Sequence, residues 1–385
     1  MSRFEPFEIA VAQDVLDDLQ DRLARTRWPQ QARGAPWRWG ADLHWLQELV
    51  AHWRNGYDWR AWERRLNAVP NFVADIEGRR VHFLMERGSG RRPLPLLLAH
   101  GWPGSVAEFL DVIDPLAHPE RHGGDAEDGF TVVVPSLPGF GFSQAPPEPI
   151  GPAEIARVFA TLMTEVLGFD SYVAQGGDWG GIVTSWLALD HPRGLRALHL
   201  NGPGLAGGHA KPEEPPLSSG ELAWQARDAG RKKGWMAYQQ VQGTEPQTLA
   251  YGLTDSPVGL AAWILQRFHA WTVRDDPGPP PLDRDHLLTN VMLYWLSGIN
   301  APNWLYVSLL EGSARRVERG RRIEVPTGFM LCPGDNTVPA PDAWLARVFA
   351  NVVHRNDAPA GGHFLAFEQP RLFTEEVRSF FRRFR

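Results

Sequence analysis

The chain has 385 residues, of which 43% are hydrophobic and 22% charged, so it is long enough for one large domain or two to three smaller ones. Its net charge of −6 argues against nucleic acid or an anionic membrane as a partner. The single cysteine, Cys332, excludes a disulfide framework and a cysteine-based metal site, and the apolar run around it suits a buried side chain.

The first 90 residues predict a helical segment that is rich in tryptophan. Residues 12–28 place Val15, Leu16, Leu19 and Leu23 at the spacing of an amphipathic helix. We expect the tryptophans here to bury area against a neighbouring domain rather than to form a ligand cage. They are Trp28, Trp37, Trp39, Trp45, Trp53, Trp59 and Trp62. A secretory signal has a basic region followed by an apolar region, and the segment does not begin with this pattern. We therefore expect a cytoplasmic protein.

From residue 93, short apolar runs alternate with helical patterns. The runs occur in LPLLLAHG, FTVVVPSLPGFGFS, SYVAQGGD, LRALHLNGP, PTGFMLCPGD and NVVHRNDAPAGGHF. Between two of them, residues 152–168 repeat apolar side chains at helical spacing, with Pro152 and Gly168 marking the ends. Strands that alternate with helices predict a largely parallel, doubly wound sheet.

Residues 205–320 interrupt this alternation with helical and loop-rich sequence, including the proline-rich stretch 277–285, and predict an inserted lid. Residues 287–310 suit buried helices joined by a turn better than a bilayer span, because three asparagines and Pro302 interrupt the apolar run. The predicted organisation is an N-terminal wrapping segment (1–90), a first core part (91–204), a helical lid (205–320) and a second core part (321–385).

The stretch VAQGGDWGGIV, residues 173–183, has the strand, turn and helix pattern of a nucleophile elbow, G-x-S-x-G, with Asp178 in the serine position. A serine that attacks an sp³ carbon would leave an ether, whereas a carboxylate leaves an ester, which an oxyanion hole helps to hydrolyse. An aspartate also needs no base to ionise it at neutral pH. The pattern therefore favours epoxides or alkyl halides as substrates, although glycine and aspartate also suit an ordinary turn.

The stretch HGWPGS, residues 100–105, follows an apolar run and predicts a backbone donor for an oxyanion hole. Pro103 has no N–H, so the Trp102 N–H is the natural donor, paired with the Trp179 N–H directly after the nucleophile. We expect Trp102 and Trp179 to bind substrate as well. His100 could act as a base, but a structural role is the stronger expectation.

Near the C-terminus, AGGHFLAFEQP places His363 in a glycine-rich loop after the last apolar run, and of thirteen histidines it alone has that context. We predict that His363 activates water against the ester. Asp335, at the end of the preceding strand, is predicted to orient His363 through its second ring nitrogen, while the competitors Asp342 and Asp357 lie beyond the strand end. The order of nucleophile, acid and histidine is that of an α/β-hydrolase.

Over essentially its whole length the chain resembles the microsomal-type (juvenile-hormone-type) epoxide hydrolases. The resemblance rests on FEIAVAQDVLDDLQDRLARTRWP, HGWPGS, GGDWGG, TLAYGLTDSPVGLAAWILQRF, LLTNVMLYWLSG, PTGFMLCPGD and GGHFLAFEQP, in this order. We expect no membrane-anchoring leader like that of the animal enzymes, and the predicted acid is an aspartate where some relatives have glutamate. The resemblance implies an α/β-hydrolase fold with an inserted helical lid and the N-terminal wrapping segment.

The resemblance also implies two lid tyrosines that bind the epoxide oxygen. Aligned blocks put Tyr238 and Tyr306 at these positions, with Tyr251 as the alternative to Tyr238 and Tyr294 expected in the core. Ring opening leaves an alkoxide, for which a phenol is a suitable proton donor.

The expected function is that of a cofactor-independent epoxide hydrolase, without a metal site, that forms a vicinal diol through an aspartyl ester. The expected partner is a small-molecule epoxide, with neither nucleic acid nor membrane, and a homodimer stays open. One alternative is a haloalkane dehalogenase, which would need halide-binding Trp or Asn donors. Another is a non-catalytic ligand-binding homologue, which would have lost part of the triad. The sequence does not identify the natural epoxide, and detoxification and natural-product biosynthesis both fit.

Overall fold

The computed structural model describes residues 3–207, 215–233, 236–273, 278–318 and 320–385. Its strands are β1 (Glu5–Pro6), β2 (Asn71–Ile76), β3 (Arg79–Glu86), β4 (Leu94–Ala99), β5 (Phe130–Pro135), β6 (Tyr172–Gly176), β7 (Leu195–Leu200), β8 (Thr327–Leu331) and β9 (Val352–Asp357). Within the described ranges they form one sheet in the order β1-β2-β3-β5-β4-β6-β7-β8-β9.

The helices connect these strands and fill the long interval between β7 and β8. They are α1 (Gln13–Ala24), α2 (Leu43–Asn55), α3 (Trp59–Ala68), α4 (Leu110–Ala117), α5 (Pro152–Thr161), α6 (Asp178–Asp190), α7 (Ser219–Lys232), α8 (Ala237–Thr244), α9 (Pro246–Asp255), α10 (Pro257–Trp271), α11 (Arg284–Ser297), α12 (Asn300–Asn303), α13 (Leu305–Leu310), α14 (Asp342–Leu345), α15 (Leu365–Glu368) and α16 (Pro370–Phe381). The predicted helix 12–28 is therefore shorter, and the predicted helix 152–168 changes to a π-helical turn after Thr161.

Six neighbouring strands, β5, β4, β6, β7, β8 and β9, run parallel. Strands β5 and β6 are buried along their whole length. Parallel strands covered on both faces appear in a sequence as unbroken apolar runs, which is why the pattern identifies them. The largely parallel, doubly wound sheet predicted from the sequence is confirmed.

Strands β1 to β3 come from the first 90 residues, where the sequence analysis predicts none. They pair antiparallel and join the sheet where β3 meets β5. Glu77 and Gly78 connect β2 to β3 with φ of 56° and 75°, and two positive φ values are what a type I′ hairpin turn requires. The strand signal is weak because buried His82 and Asn71 interrupt the apolar pattern, with 2.8 Å between His82 Nε2 and Asn71 Oδ1.

The described part of the interval between β7 and β8 contains the helices α7 to α13, joined by loops. Helices α8 and α13 pack against each other, and α10 packs against α1 and α2 of the N-terminal segment. In this contact the ring of Trp37 stacks 3.7 Å from that of His269, measured between centroids. Most N-terminal tryptophans are buried, but Trp39 is 67% exposed. Parts of the predicted lid, including residue 277 of the proline-rich stretch, lie outside the described residues.

Residues 287–310 form α11, α12 and α13, with a turn at Gly298, whose φ is 90°. Most side chains of α11 are buried, as predicted for a helix inside the protein. In the described part of the chain, no helix has both the length and the apolar character to span a bilayer.

Candidate active site

Asp178 lies at the sharp turn between β6 and α6. Its φ is 48°, a left-handed backbone conformation that costs a residue with a side chain about 1–3 kcal/mol. The turn is tight enough that a Cβ on Gly180 would lie 1.9 Å from the Ala99 carbonyl oxygen, and one on Gly176 would lie 2.4 Å from that of Gly180. The glycines of the motif are thus required by close backbone approach, and the strained turn exposes the Asp178 side chain at the end of β6.

The Asp178 carboxylate contacts the backbone that follows β4. Its Oδ1 accepts a hydrogen bond of 2.8 Å from the Trp102 N–H. A Cβ on Gly101 would lie 2.2 Å from the same oxygen, so this position also needs glycine. Trp179 follows Asp178 in the first turn of α6, where N–H groups have no acceptor within the helix. The Trp102 N–H thus contacts the carboxylate, and the Trp179 N–H is free of an acceptor in the helix.

His363 lies between two carboxylates. Its Nδ1 is 2.7 Å from Asp335 Oδ1, and its Nε2 is 3.2 Å from Asp178 Oδ2, an ion-pair contact without hydrogen-bond alignment. Asp335 is held in turn by the Asn336 N–H, 2.5 Å from Oδ1. The three predicted residues thus form one chain of contacts.

Neither competitor of Asp335 reaches His363 in this way. Asp342 begins α14 and pairs with Arg355. Asp357 is the last residue of β9, and its carboxylate lies 3.6 Å from the same arginine. Among the three candidates, Asp335 is the carboxylate that contacts His363 Nδ1.

The charges around His363 decide its protonation. Burial lowers the pKa of the imidazole, but the carboxylates of Asp335 and Asp178 outweigh burial and raise the pKa well above its usual value. In the free protein, His363 is therefore held as a cation between two anions. Loss of the negative charge on Asp178 would remove part of this stabilisation of the cation.

His100, the other histidine considered from the sequence, has a structural environment. Its Nδ1 lies 3.2 Å from the Gly101 carbonyl oxygen, and its Nε2 accepts a hydrogen bond of the same length from the Leu137 N–H. Burial lowers its pKa to about 4, so the ring is neutral at pH 7 and both nitrogens are engaged. Cys332 is buried as well, and burial raises the pKa of its thiol.

Tyr238 on α8 and Tyr306 on α13 lie next to each other, beside Trp102 and Trp179. Their ring centroids are 5.5 Å apart, Tyr238 stacks on Trp102 at 5.2 Å, and Tyr306 meets the ring of Trp179 edge-on at 5.1 Å. Burial raises the pKa of both phenols, and the charge of Asp178 raises it further. Both hydroxyls therefore carry their protons at neutral pH.

The other two tyrosines considered from the sequence differ in position. Tyr251 on α9 is 71% exposed. The Tyr294 hydroxyl is buried and donates a 2.7 Å hydrogen bond to the Gly104 carbonyl oxygen. The structure thus brings Tyr238, and not Tyr251, to Asp178.

A cavity of about 200 Å³ connects these groups. Asp178, His363, Asp335 and Tyr238 line it, whereas Tyr306 contacts the ring of Tyr238 and is not part of the lining. The remaining wall contains both apolar and polar side chains. It includes Ile182, Trp271, Leu309, Leu310, Asn201, Gln239, Asn336, Thr337, Lys232 and Arg315. Such a cavity accommodates a small, mainly apolar molecule that carries polar atoms.

Two carboxyl groups near the site were missed in the sequence analysis. Burial raises the pKa of Glu108 to about 8. The charge of His363 lowers this pKa, and the charge of Asp178 raises it. Burial likewise raises the pKa of Glu368 to about 6, although three backbone hydrogen bonds oppose the shift. Glu108 lies three residues after the end of HGWPGS, and Glu368 lies within AGGHFLAFEQP, but no local pattern marks a buried carboxyl group.

The strand order, the elbow and the Asp–His pair together define an α/β-hydrolase. The pattern of the alpha/beta hydrolase fold matches residues 95–260, and that of the epoxide hydrolase N terminus matches residues 4–109. The chain is 42% identical to a Stigmatella aurantiaca protein assigned by name to the epoxide hydrolases, over 99% of this chain and 85% of that protein. It is 32% identical to epoxide hydrolase 1 of Oryctolagus cuniculus, over 97% and 88%.

Solved structures give the same result. Aspergillus niger epoxide hydrolase matches with a TM-score of 0.84 at 32% identity, over 98% of this chain and 96% of that chain. Juvenile hormone epoxide hydrolase from the silkworm Bombyx mori matches with a TM-score of 0.85 at 28% identity, over 100% and 95%. The chain belongs to the epoxide hydrolase family.

Proposed function

We propose that this protein converts an epoxide and water to a vicinal diol through a covalent ester on Asp178. The observation that carries the proposal is the carboxylate at the elbow, with the Trp102 N–H on one oxygen and His363 Nε2 near the other. A nucleophile that is ionised without a base suits attack on an alkyl carbon, and an oxyanion hole suits hydrolysis of the ester that results.

Ring opening uses Asp178 and the two tyrosines. The free carboxylate oxygen Oδ2 attacks one epoxide carbon, a C–O bond to the ring oxygen breaks, and that oxygen takes a proton from a phenol. Because burial keeps both phenols protonated, Tyr238 and Tyr306 can donate to the developing alkoxide. The products of this step are the hydroxyalkyl ester of Asp178 and a tyrosinate.

Ester hydrolysis uses His363 and Asp335. Esterification removes the negative charge of Asp178, which lowers the pKa of His363. The imidazolium then gives its proton to the tyrosinate and becomes a neutral base. His363 takes a proton from water, the hydroxide adds to the ester carbonyl, and the Trp102 and Trp179 N–H groups stabilise the oxyanion. Collapse breaks the ester C–O bond, and the departing diol oxygen takes the remaining proton of the added water. The Asp178 carboxylate and the His363 cation of the free protein are thereby restored.

The domain organisation supports the same division of roles. We propose that residues 91–204 and 321–385 form the hydrolase core, that residues 205–320 form a lid carrying the two tyrosines, and that residues 1–90 wrap around both. The packing of α1 and α2 against α10 supports the last part of this proposal.

Two further points concern the protein in the cell. We propose a cytoplasmic location, whereas the choice between a monomer and a homodimer stays open. Fractionation of the source cells tests the location, and the mass of the purified protein in solution decides between monomer and homodimer.

A panel of aryl and alkyl epoxides, assayed for diol by mass spectrometry, tests the activity. We expect diol from at least one epoxide with the wild-type protein and with Asp342→Ala, whose exposed carboxylate lies away from the site. We expect none above background with Asp178→Ala. Halide release from chloroalkanes without diol from any epoxide would instead support a dehalogenase.

A further inference from the structure

The loop that carries His363 is fixed by a second carboxyl group, which does not touch the reacting atoms. Glu368 ends α15, five residues after His363. Its Oε2 accepts a 3.0 Å hydrogen bond from the Gly362 N–H, and its Oε1 accepts one of the same length from the Phe364 N–H. The two residues on either side of His363 are therefore held by one carboxyl group.

The same carboxyl group joins this loop to the end of α10. Glu368 Oε2 also accepts a 3.2 Å hydrogen bond from the Val273 N–H, two residues past α10. The His363 N–H donates to the Trp271 carbonyl oxygen at 2.9 Å. Three successive N–H groups, from Gly362 to Phe364, thus have fixed acceptors, and both acceptor groups connect the loop to α10.

The local sequence is suited to this arrangement. A Cβ on Gly362 would lie 2.5 Å from the Trp271 carbonyl oxygen and 3.2 Å from Glu368 Oε1, so only glycine allows the approach. The Glu368 N–H donates back to the Phe364 carbonyl oxygen at 2.8 Å, which closes α15 against the loop. Glu368 therefore fixes the backbone of His363, while Asp335 fixes the ring.

We propose that Glu368 is a positioning residue for ester hydrolysis, which holds the His363 backbone against α10 so that the imidazole can deliver water to the ester carbonyl. This inference rests on the proposed aspartyl-ester mechanism. Because Asp178 and the tyrosines perform ring opening, displacement of His363 should slow the second step and leave the first unchanged. Displacement of a catalytic group by about 1 Å can cost on the order of a hundredfold in rate.

Glu368→Gln tests the inference, because it keeps the shape but replaces one acceptor oxygen by an NH₂ group that cannot accept from an N–H. When only ester hydrolysis is slowed, kcat and KM fall together and kcat/KM is unchanged, since kcat/KM reports the steps up to ester formation. We expect kcat and KM to fall about tenfold or more, and the ester mass to accumulate on the intact protein during turnover. General damage to the fold would instead lower kcat and kcat/KM together.

Glu375→Gln is the matched control, since this exposed carboxylate on α16 pairs with Arg371 at 2.8 Å and lies away from the loop. It should leave both constants unchanged. Glu368→Asp keeps the charge but shortens the side chain, and it should show the same pattern with a smaller effect, so it serves if the glutamine variant does not fold.

The outcomes separate the two proposals. Absence of an ester from the wild type and every variant would overturn the proposed function itself. The positioning role alone would be overturned if the wild type forms an ester but the two Glu368 variants do not show the expected pattern. That is the case if Glu368→Gln and Glu368→Asp keep the wild-type kcat and KM, or if they lose kcat and kcat/KM equally.

Discussion

The sheet and the helices between β7 and β8 hold their parts of the candidate site in different ways. The sheet presents Asp178, Asp335 and His363 after the ends of β6, β8 and β9, where backbone N–H groups bind the two carboxylates. The helices present Tyr238 and Tyr306 through aromatic contacts with Trp102 and Trp179. The difference suggests that the two regions serve different steps, ring opening for the tyrosines and ester hydrolysis for the Asp–His pair, with Asp178 common to both.

The largest expected effect is that of Asp178→Ala, because both steps need this carboxylate. We expect the rate of diol formation to fall by more than about a thousandfold, with an unchanged circular dichroism spectrum. A rate above about one thousandth of wild type would remove Asp178 from the nucleophile role and with it the division between the regions.

His363→Gln should slow ester hydrolysis, the step assigned to the residues that the sheet presents, and leave ring opening unchanged. We expect kcat to fall by about a hundredfold to ten thousandfold, the range for loss of a general base, while the ester accumulates within the first turnover. The burst of ester, measured by rapid quench and mass spectrometry, should approach one per protein molecule. A variant that is slow but shows no ester would mean that His363 acts before or during ring opening.

The tyrosine variants should show the opposite pattern. Tyr238→Phe and Tyr306→Phe should each lower kcat/KM by about tenfold or more, and the double variant should be slower still, because each phenol supports the same alkoxide. No ester should accumulate, since formation of the ester becomes the slow step. Tyr251→Phe is the control, because this side chain is exposed, and it should keep the wild-type kcat/KM. A lower kcat/KM for this variant would show that the tyrosines were assigned wrongly.

The smallest effect is on the titration of His363. Two carboxylates raise its pKa above that of an unfolded histidine, so its contribution to stability is complete below about pH 6.5 and is lost as the pH rises through the folded pKa. Asp178→Ala removes one carboxylate and should lower the folded pKa and narrow this window. An NMR titration of the imidazole measures the change, and an unchanged or higher pKa would contradict the proposed charge coupling.

The parallel strands and the strand-end residues could be predicted because their signals are local. Short apolar runs indicate β4 to β9, although polar residues interrupt those of β7 and β9, and a glycine-rich turn marks Asp178. The antiparallel strands were missed because Asn71 and His82 replace apolar residues and are satisfied by each other in the core. The local sequence pattern left open whether Tyr238 or Tyr251 belongs to the site. The two differ in solvent exposure, which depends on how the helices pack. Glu368 could not be found because its hydrogen-bond partners come from two separate parts of the chain, the His363 loop and Val273, two residues past α10.

The central claim is that Asp178, and not water, attacks the epoxide. One turnover in heavy-oxygen water, with protein in excess over epoxide, distinguishes the two. In the proposed mechanism the oxygen that enters the first diol comes from the Asp178 carboxylate, and the solvent oxygen stays in the protein after attack on the ester carbonyl. Mass spectrometry should therefore find an unlabelled diol and the label in the peptide that contains Asp178. A labelled diol with an unlabelled peptide would mean that His363 directs water onto the epoxide itself, and would contradict the account.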